Sequence, residues 1–172
     1  MKKARITVVV LLGIMLVVGI ACGEAKEPVS TPTVGNIPQG WYLSDEESYG
    51  TMEESDGTEW GLVEYTDTED ADFIAIYYGD VPSELKGHET EGNALAEKAI
   101  YWSIFEPDET GTMVAAGQTA GYTKKYESAG ESNEMEIVFI VGSTCIDIYT
   151  AYDATTENEA QVMSIINSIS IK

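Results

Sequence analysis

Two stretches of this chain are apolar on both faces of a strand, and they constrain its fold more than any other feature. One is Asp72-Phe73-Ile74-Ala75-Ile76-Tyr77-Tyr78, and the other runs from Met135 to Val141 through Ile137, Val138, Phe139 and Ile140. Successive side chains of a strand point to opposite faces, so a strand apolar at every position needs cover on both sides of its sheet. Two helical patterns can supply that cover. Asn93 to Phe105 is apolar around most of its circumference, which predicts deep burial, and Pro107 closes it. Near the C-terminus, Val162, Ile165, Ile166 and Ile169 form an i, i+3, i+4, i+7 stripe, preceded by Thr156-Glu157-Asn158-Glu159, which matches a capping box.

The remaining segments read as strands with short connections. Trp41-Tyr42-Leu43 follows Pro38-Gln39-Gly40, and Asp56-Gly57 marks a tight turn before the alternating run Trp60 to Thr66. Gly121 to Tyr126 and Cys145 to Tyr152 are further strands, and Ile169 and Ile171 alternate with serine as a short closing strand. Strands joined by short gaps pair antiparallel. The expectation is an α+β domain built as a three-layer α/β/α sandwich around a central, mainly antiparallel β-sheet.

The N-terminus carries an address. Met1-Lys2-Lys3-Ala4-Arg5 is positive, Ile6 to Ile20 is apolar, and Ala21-Cys22-Gly23 is a break of small residues. A cysteine at that break resembles the lipobox of prokaryotic lipoproteins, although Gly19 stands where leucine is usual. The resemblance implies cleavage after residue 21 and lipidation of Cys22, with the lipid as the link to the membrane. An uncleaved anchor or ordinary signal cleavage gives the same topology, because Lys2, Lys3 and Arg5 hold the N-terminus on the cytoplasmic side. Residues 1–21 are thus expected to be a signal peptide, and residues 22–36, polar with Pro28 and Pro32, the lipidated cysteine and a flexible tether. About 15 such residues reach roughly 20 Å. Residues 37–172 suit one domain, on the outer face of the cytoplasmic membrane.

Charge removes whole classes of function. After Cys22 the chain has six lysines, no arginine and thirty acidic residues, a net charge of −24. Such a field repels nucleic acid and lacks the basic clusters that phosphate contacts need. If Cys22 is lipidated, Cys145 has no intramolecular partner, and its strand-like setting predicts a buried, inert thiol.

Catalytic patterns are weak. His88 is the single histidine, in a polar loop, so a His-rich metal site is excluded and a triad would rest on one flexible position. Ser83-Glu84-Leu85-Lys86 matches Ser-x-x-Lys, but the accompanying Ser-Asp-Asn and Lys-Thr-Gly elements are absent. Gly117-Gln118-Thr119-Ala120-Gly121 lacks the lysine and spacing of a phosphate loop and reads as a strand-to-strand turn. Asp67, Glu69, Asp70 and Asp72 gather oxygens that suit Ca²⁺, without the sixth-position glycine or twelfth-position glutamate of an EF-hand. Asp147, between Ile146 and Ile148, either faces solvent or, if buried, needs a partner such as Lys124 or Lys125. Ten tyrosines serve packing or line a recognition surface.

The order of landmarks is similar to that of the PsbP/Mog1-like superfamily. The chain has a Pro38-Gln39-Gly40-Trp41 entry, a hairpin, and a central apolar strand followed by a helix. Ala116 to Tyr122 precedes two strong strands, and the end is an amphipathic helix finishing in Ile166-Asn167-Ser168-Ile169. Over about residues 38–172 this resemblance implies an α/β/α sandwich and a non-catalytic binding or assembly role, without a transferable ligand site. The leading expectation is therefore a lipid-anchored extracytoplasmic accessory, not an enzyme, with no cofactor and a protein or small-ligand partner. A Ca²⁺-binding lipoprotein is the alternative, and a weak serine hydrolase the third.

Overall fold

A computed structural model describes residues 31–49, 60–67, 72–126 and 132–171. The elements in order are β1 (Thr33–Val34), β2 (Trp41–Tyr49), β3 (Trp60–Asp67) and β4 (Phe73–Asp80), then a short 3₁₀ turn (Ser83–Leu85) and α1 (Gly92–Trp102). There follow β5 (Glu109–Ala115), β6 (Gln118–Tyr126), β7 (Ser132–Val141), β8 (Thr144–Asp153), α2 (Thr156–Asn167) and β9 (Ile169–Ser170). Seven strands form one sheet in the order β2-β3-β4-β8-β7-β6-β5, every pair antiparallel. The two strands apolar on both faces are β4 and β7, each sheltered between neighbours as their composition requires.

Strand parity separates the core into two clusters on opposite faces of the sheet. On one face Val63, Tyr65, Ile74, Ile76, Ile137, Phe139, Ile146 and Ile148 meet Val162, Ile165 and Ile166 of α2. On the other, Trp60, Val138, Ile140 and Cys145 meet Leu95 and Ala99 of α1. Neighbouring residues such as Phe139 and Ile140 go to different clusters, which is the alternation of a pleated strand. α1 lies over β5, β6 and β7 and so covers one end of its face. No described helix is long and apolar enough to cross a membrane.

Four local expectations are corrected. The polar stretch 22–36 is not tether throughout: Val34 pairs with Ile169 and Thr33 with Ser170, and Asn36 donates to Ser164 Oγ. These bonds satisfy β9, which would otherwise end the chain as an unpaired strip beside α2. The cap of α2 is Thr155, whose hydroxyl accepts from the Asn158 N–H at 3.1 Å, one residue earlier than the capping-box match. The first helix ends at Trp102, before Pro107, because Ser103 turns extended and its hydroxyl donates to the Phe105 carbonyl. Nor is that helix buried all round, since Ile100 and Tyr101 at its C-terminal end, and Ile104 just beyond it, lie in the open. The Asp56-Gly57 turn lies outside the described residues.

Candidate functional site

The C-terminal end of α1 carries the most conspicuous apolar surface among the described residues. Ile100 is 44% exposed, Tyr101 74% and Ile104 78%. Glu97, one turn earlier, and Glu106 and Asp108 just beyond are exposed as well. Lys98 fixes this end of the helix from beneath. Its buried ammonium bonds the Glu84 carboxylate of the 3₁₀ turn and sits 4.2 Å from the centre of the Trp102 ring and 4.9 Å from that of Tyr101. That hydrogen bond is the main reason the Glu84 carboxyl is held below its ordinary range. Trp102 in turn stands edge-on to Trp60 of β3 at 5.4 Å. The helix end is thus clamped to the sheet while its outer stripe stays bare, and Tyr101 presents a rigid ring with a polar tip.

A second constellation lies on the same face of the sheet as α1. The β6–β7 register sets Thr123 opposite Glu136, and β7–β8 sets Glu136 opposite Tyr149 and Val138 opposite Asp147. Glu136 and Asp147 are diagonal neighbours on adjacent strands and hydrogen-bond to each other. Burial, and then the charge of Asp147, push the Glu136 carboxyl up to about 10. At neutral pH the pair therefore holds one shared proton. Thr123 is fully buried, and its hydroxyl finds no hydrogen-bond partner. Beyond the pair, Tyr77 lies opposite Asp147, and Phe73 stacks edge-on with Tyr149 at 5.4 Å. The Tyr149 hydroxyl is pushed up to about 12 by burial and by Glu134 and Glu136.

Neither expectation for Asp147 holds. It does not face solvent, and the group beside it is a carboxyl rather than Lys124 or Lys125. Lys124 points to the opposite face, where it bonds Glu159 of α2 at 3.0 Å. The sequence marks Glu136 and Asp147 as acids flanked on both sides by apolar residues, but only the register between β7 and β8 brings them together.

The acidic turn is taken up by structure at its two described positions. Asp72 is buried, and its carboxylate accepts the Asp153 N–H at 2.7 Å, tying the start of β4 to the end of β8. Burial is the main cause of its raised carboxyl pKa. Asp67 accepts from the Asp72 N–H at 3.3 Å and closes the turn between β3 and β4. Glu69 and Asp70 lie outside the described residues, and no three metal-ligating side chains of His, Cys, Asp or Glu type converge among the described ones. Ser83 and Lys86 are both exposed, and the Ser83 hydroxyl bonds Glu84. His88 pairs with Glu91 at 3.1 Å on the open surface. Cys145 is buried, as its strand setting predicts. The tyrosines divide between packing and surface: Tyr65, Tyr78 and Tyr152 are buried, while Tyr122 and Tyr126 both donate to the Glu109 carboxylate at the sheet edge.

No protein-family model matches the chain, and no curated protein matches it. Among solved structures it is similar to the solution structure of cyanobacterial PsbP (CyanoP) from Synechocystis sp. PCC 6803, at 13% identity and a TM-score of 0.46. That likeness covers 88% of this chain and 98% of the other. At this level it assigns neither a family nor a site.

Proposed function

We propose that this protein is a lipid-anchored, extracytoplasmic and non-catalytic accessory module, an α/β/α sandwich that docks a basic amphipathic segment of another protein. The bare stripe of Ile100, Tyr101 and Ile104 carries the reading. Three large apolar side chains held in the open by a clamped helix lose water favourably when covered, by roughly 25 cal/mol per Å². Glu97, Glu106 and Asp108 around them, and the net charge of the chain, favour a partner whose apolar face is rimmed by lysine or arginine. A tyrosine at the centre of an acidic rim is also the residue type on which binding energy concentrates.

The test is photo-crosslinking from position 101 of the intact chain in its own membrane, with position 157, on the surface of α2, as the control. One defined protein should cross-link from 101 alone, through a basic segment, and Ile104→Asp should abolish the adduct. Equal labelling from both positions, or none from 101, would overturn the reading.

The anchor is tested separately. Cys22→Ser should move the protein from the membrane to the soluble fraction and remove acyl labelling, because the two or three chains of a lipoprotein hold firmly where one holds marginally. Unchanged membrane association would leave the apolar segment 6–20 itself as the anchor.

A further inference from the structure

Three adjacent strands each contribute one buried oxygen-bearing side chain to the same spot. Thr123 comes from β6, Glu136 from β7 and Asp147 from β8, on a face otherwise lined by Val138, Ile140 and Cys145. Glu136 is 3% exposed, Asp147 8% and Thr123 0%. A pair of carboxyls in such a place is costly, and apolar residues of like volume commonly give a more stable core. The Thr123 hydroxyl sharpens the question, because a fully buried hydroxyl without a hydrogen-bond partner is rare and costly. It stands directly across the ladder from Glu136. The half-buried rings of Tyr77 and Tyr149 flank the pair along the sheet, beyond the strands that α1 covers, with Phe73 and Phe105 packed on Tyr149.

We propose that Glu136, Asp147 and Thr123 form a binding site for a hard divalent cation of the calcium type. Two carboxylates supply charge and up to four oxygens, and the Thr123 hydroxyl supplies a neutral oxygen whose lone pair, unused in the fold, the cation engages. Such cations select oxygen donors, and the thiol of Cys145 on this face packs with Val138 and Ile140 in the apolar cluster instead. With two carboxylates, the affinity belongs in the range of roughly 10⁻⁴–10⁻³ M that extracellular modules show. The site is separate from the α1 stripe and from the acidic turn at Asp67 and Asp72.

The test is a terbium titration of the full-length protein in detergent, because terbium is an oxygen-seeking stand-in for calcium that nearby tyrosines sensitise. Wild type should show a saturable emission that calcium displaces. Glu136→Gln, which keeps size and hydrogen bonding and is expected to fold, should weaken that affinity at least tenfold, and Thr123→Val several-fold. Asp67→Asn should leave it unchanged. Superimposable titrations for wild type and Glu136→Gln would overturn the proposal, since cations would then be meeting only the diffuse acidic surface. Absence of saturable emission in wild type would overturn it equally, leaving the pair as a proton-sharing element of the core.

Discussion

Replacing Glu136 by glutamine is expected to stabilise the domain at pH 7 by about 2 kcal/mol, where most changes at a fully buried position destabilise. The reason is the proton. In the unfolded chain the Glu136 carboxyl titrates near its ordinary value of 4.5, whereas in the fold burial and Asp147 push it up to about 10. Between those values the folded protein holds a proton that the unfolded protein releases. Stability from this group is therefore fully present below pH 4.5 and is lost as pH rises toward 10. From pH 4.5 to 7 the loss is at most about 3 kcal/mol, at 1.36 kcal/mol per unit. Glutamine offers Asp147 a permanent donor with no proton to acquire. Urea unfolding of both proteins at pH 5, 7 and 9, in buffer with a chelator, gives the difference directly. The gap should be small at pH 5 and widen with pH, which separates it from the general self-repulsion of an acidic chain, common to both proteins. A variant less stable than wild type at pH 7, or a gap independent of pH, would refute the shared proton.

How much of this was legible from sequence depends on the range of the interaction. The strands β4 and β7 were readable because alternation is a local property and both runs carry apolar residues on both faces, so shelter on two sides follows from composition alone. The stripe of Val162, Ile165 and Ile166 was readable for the same reason. The Asp147 environment was not, because it depends on the register between β7 and β8, which no neighbouring residue encodes. The bare end of α1 was hidden by its own hydrophobicity. An apolar residue in a helix predicts burial, and Ile100 and Tyr101, with Ile104 just past the helix, depart from that expectation for a reason that lies in geometry: α1 covers only one end of its face, over β5 to β7. Thr33–Val34 escaped because their partners, Ser170 and Ile169, lie at the far end of the chain.

Gly121→Ala should be the most damaging single methyl in the domain, costing about 3 kcal/mol. Gly121 lies on β6 beneath α1, and a Cβ there would stand 2.0 Å from the Ala96 nitrogen and 2.1 Å from the Leu95 carbonyl carbon. Those are backbone atoms of a helix interior, so no rotamer change relieves the clash. The helix must lift, and lifting it uncovers Leu95 and Ala99, both fully buried. Gly117 is the informative control. It sits at φ +75° beside Ala116 at φ +50°, in the two-residue turn that joins β5 to β6, and nothing lies within 4 Å of its would-be Cβ. Gly117→Ala therefore meets only left-handed strain, about 1 kcal/mol. Urea unfolding should rank the two in that order. The larger effect should also have a place: α1 carries Trp102 against Trp60, so Gly121→Ala should change tryptophan fluorescence in the folded state while Gly117→Ala leaves it as in wild type. The cluster beneath α2 shares no side chain with this contact, so the variant should keep most of its strand structure while the α1 face loosens. Equal costs for the two alanines would mean that the helix does not rest on the β6 backbone, and the clamp that holds Tyr101 and Ile104 in the open would lose its foundation.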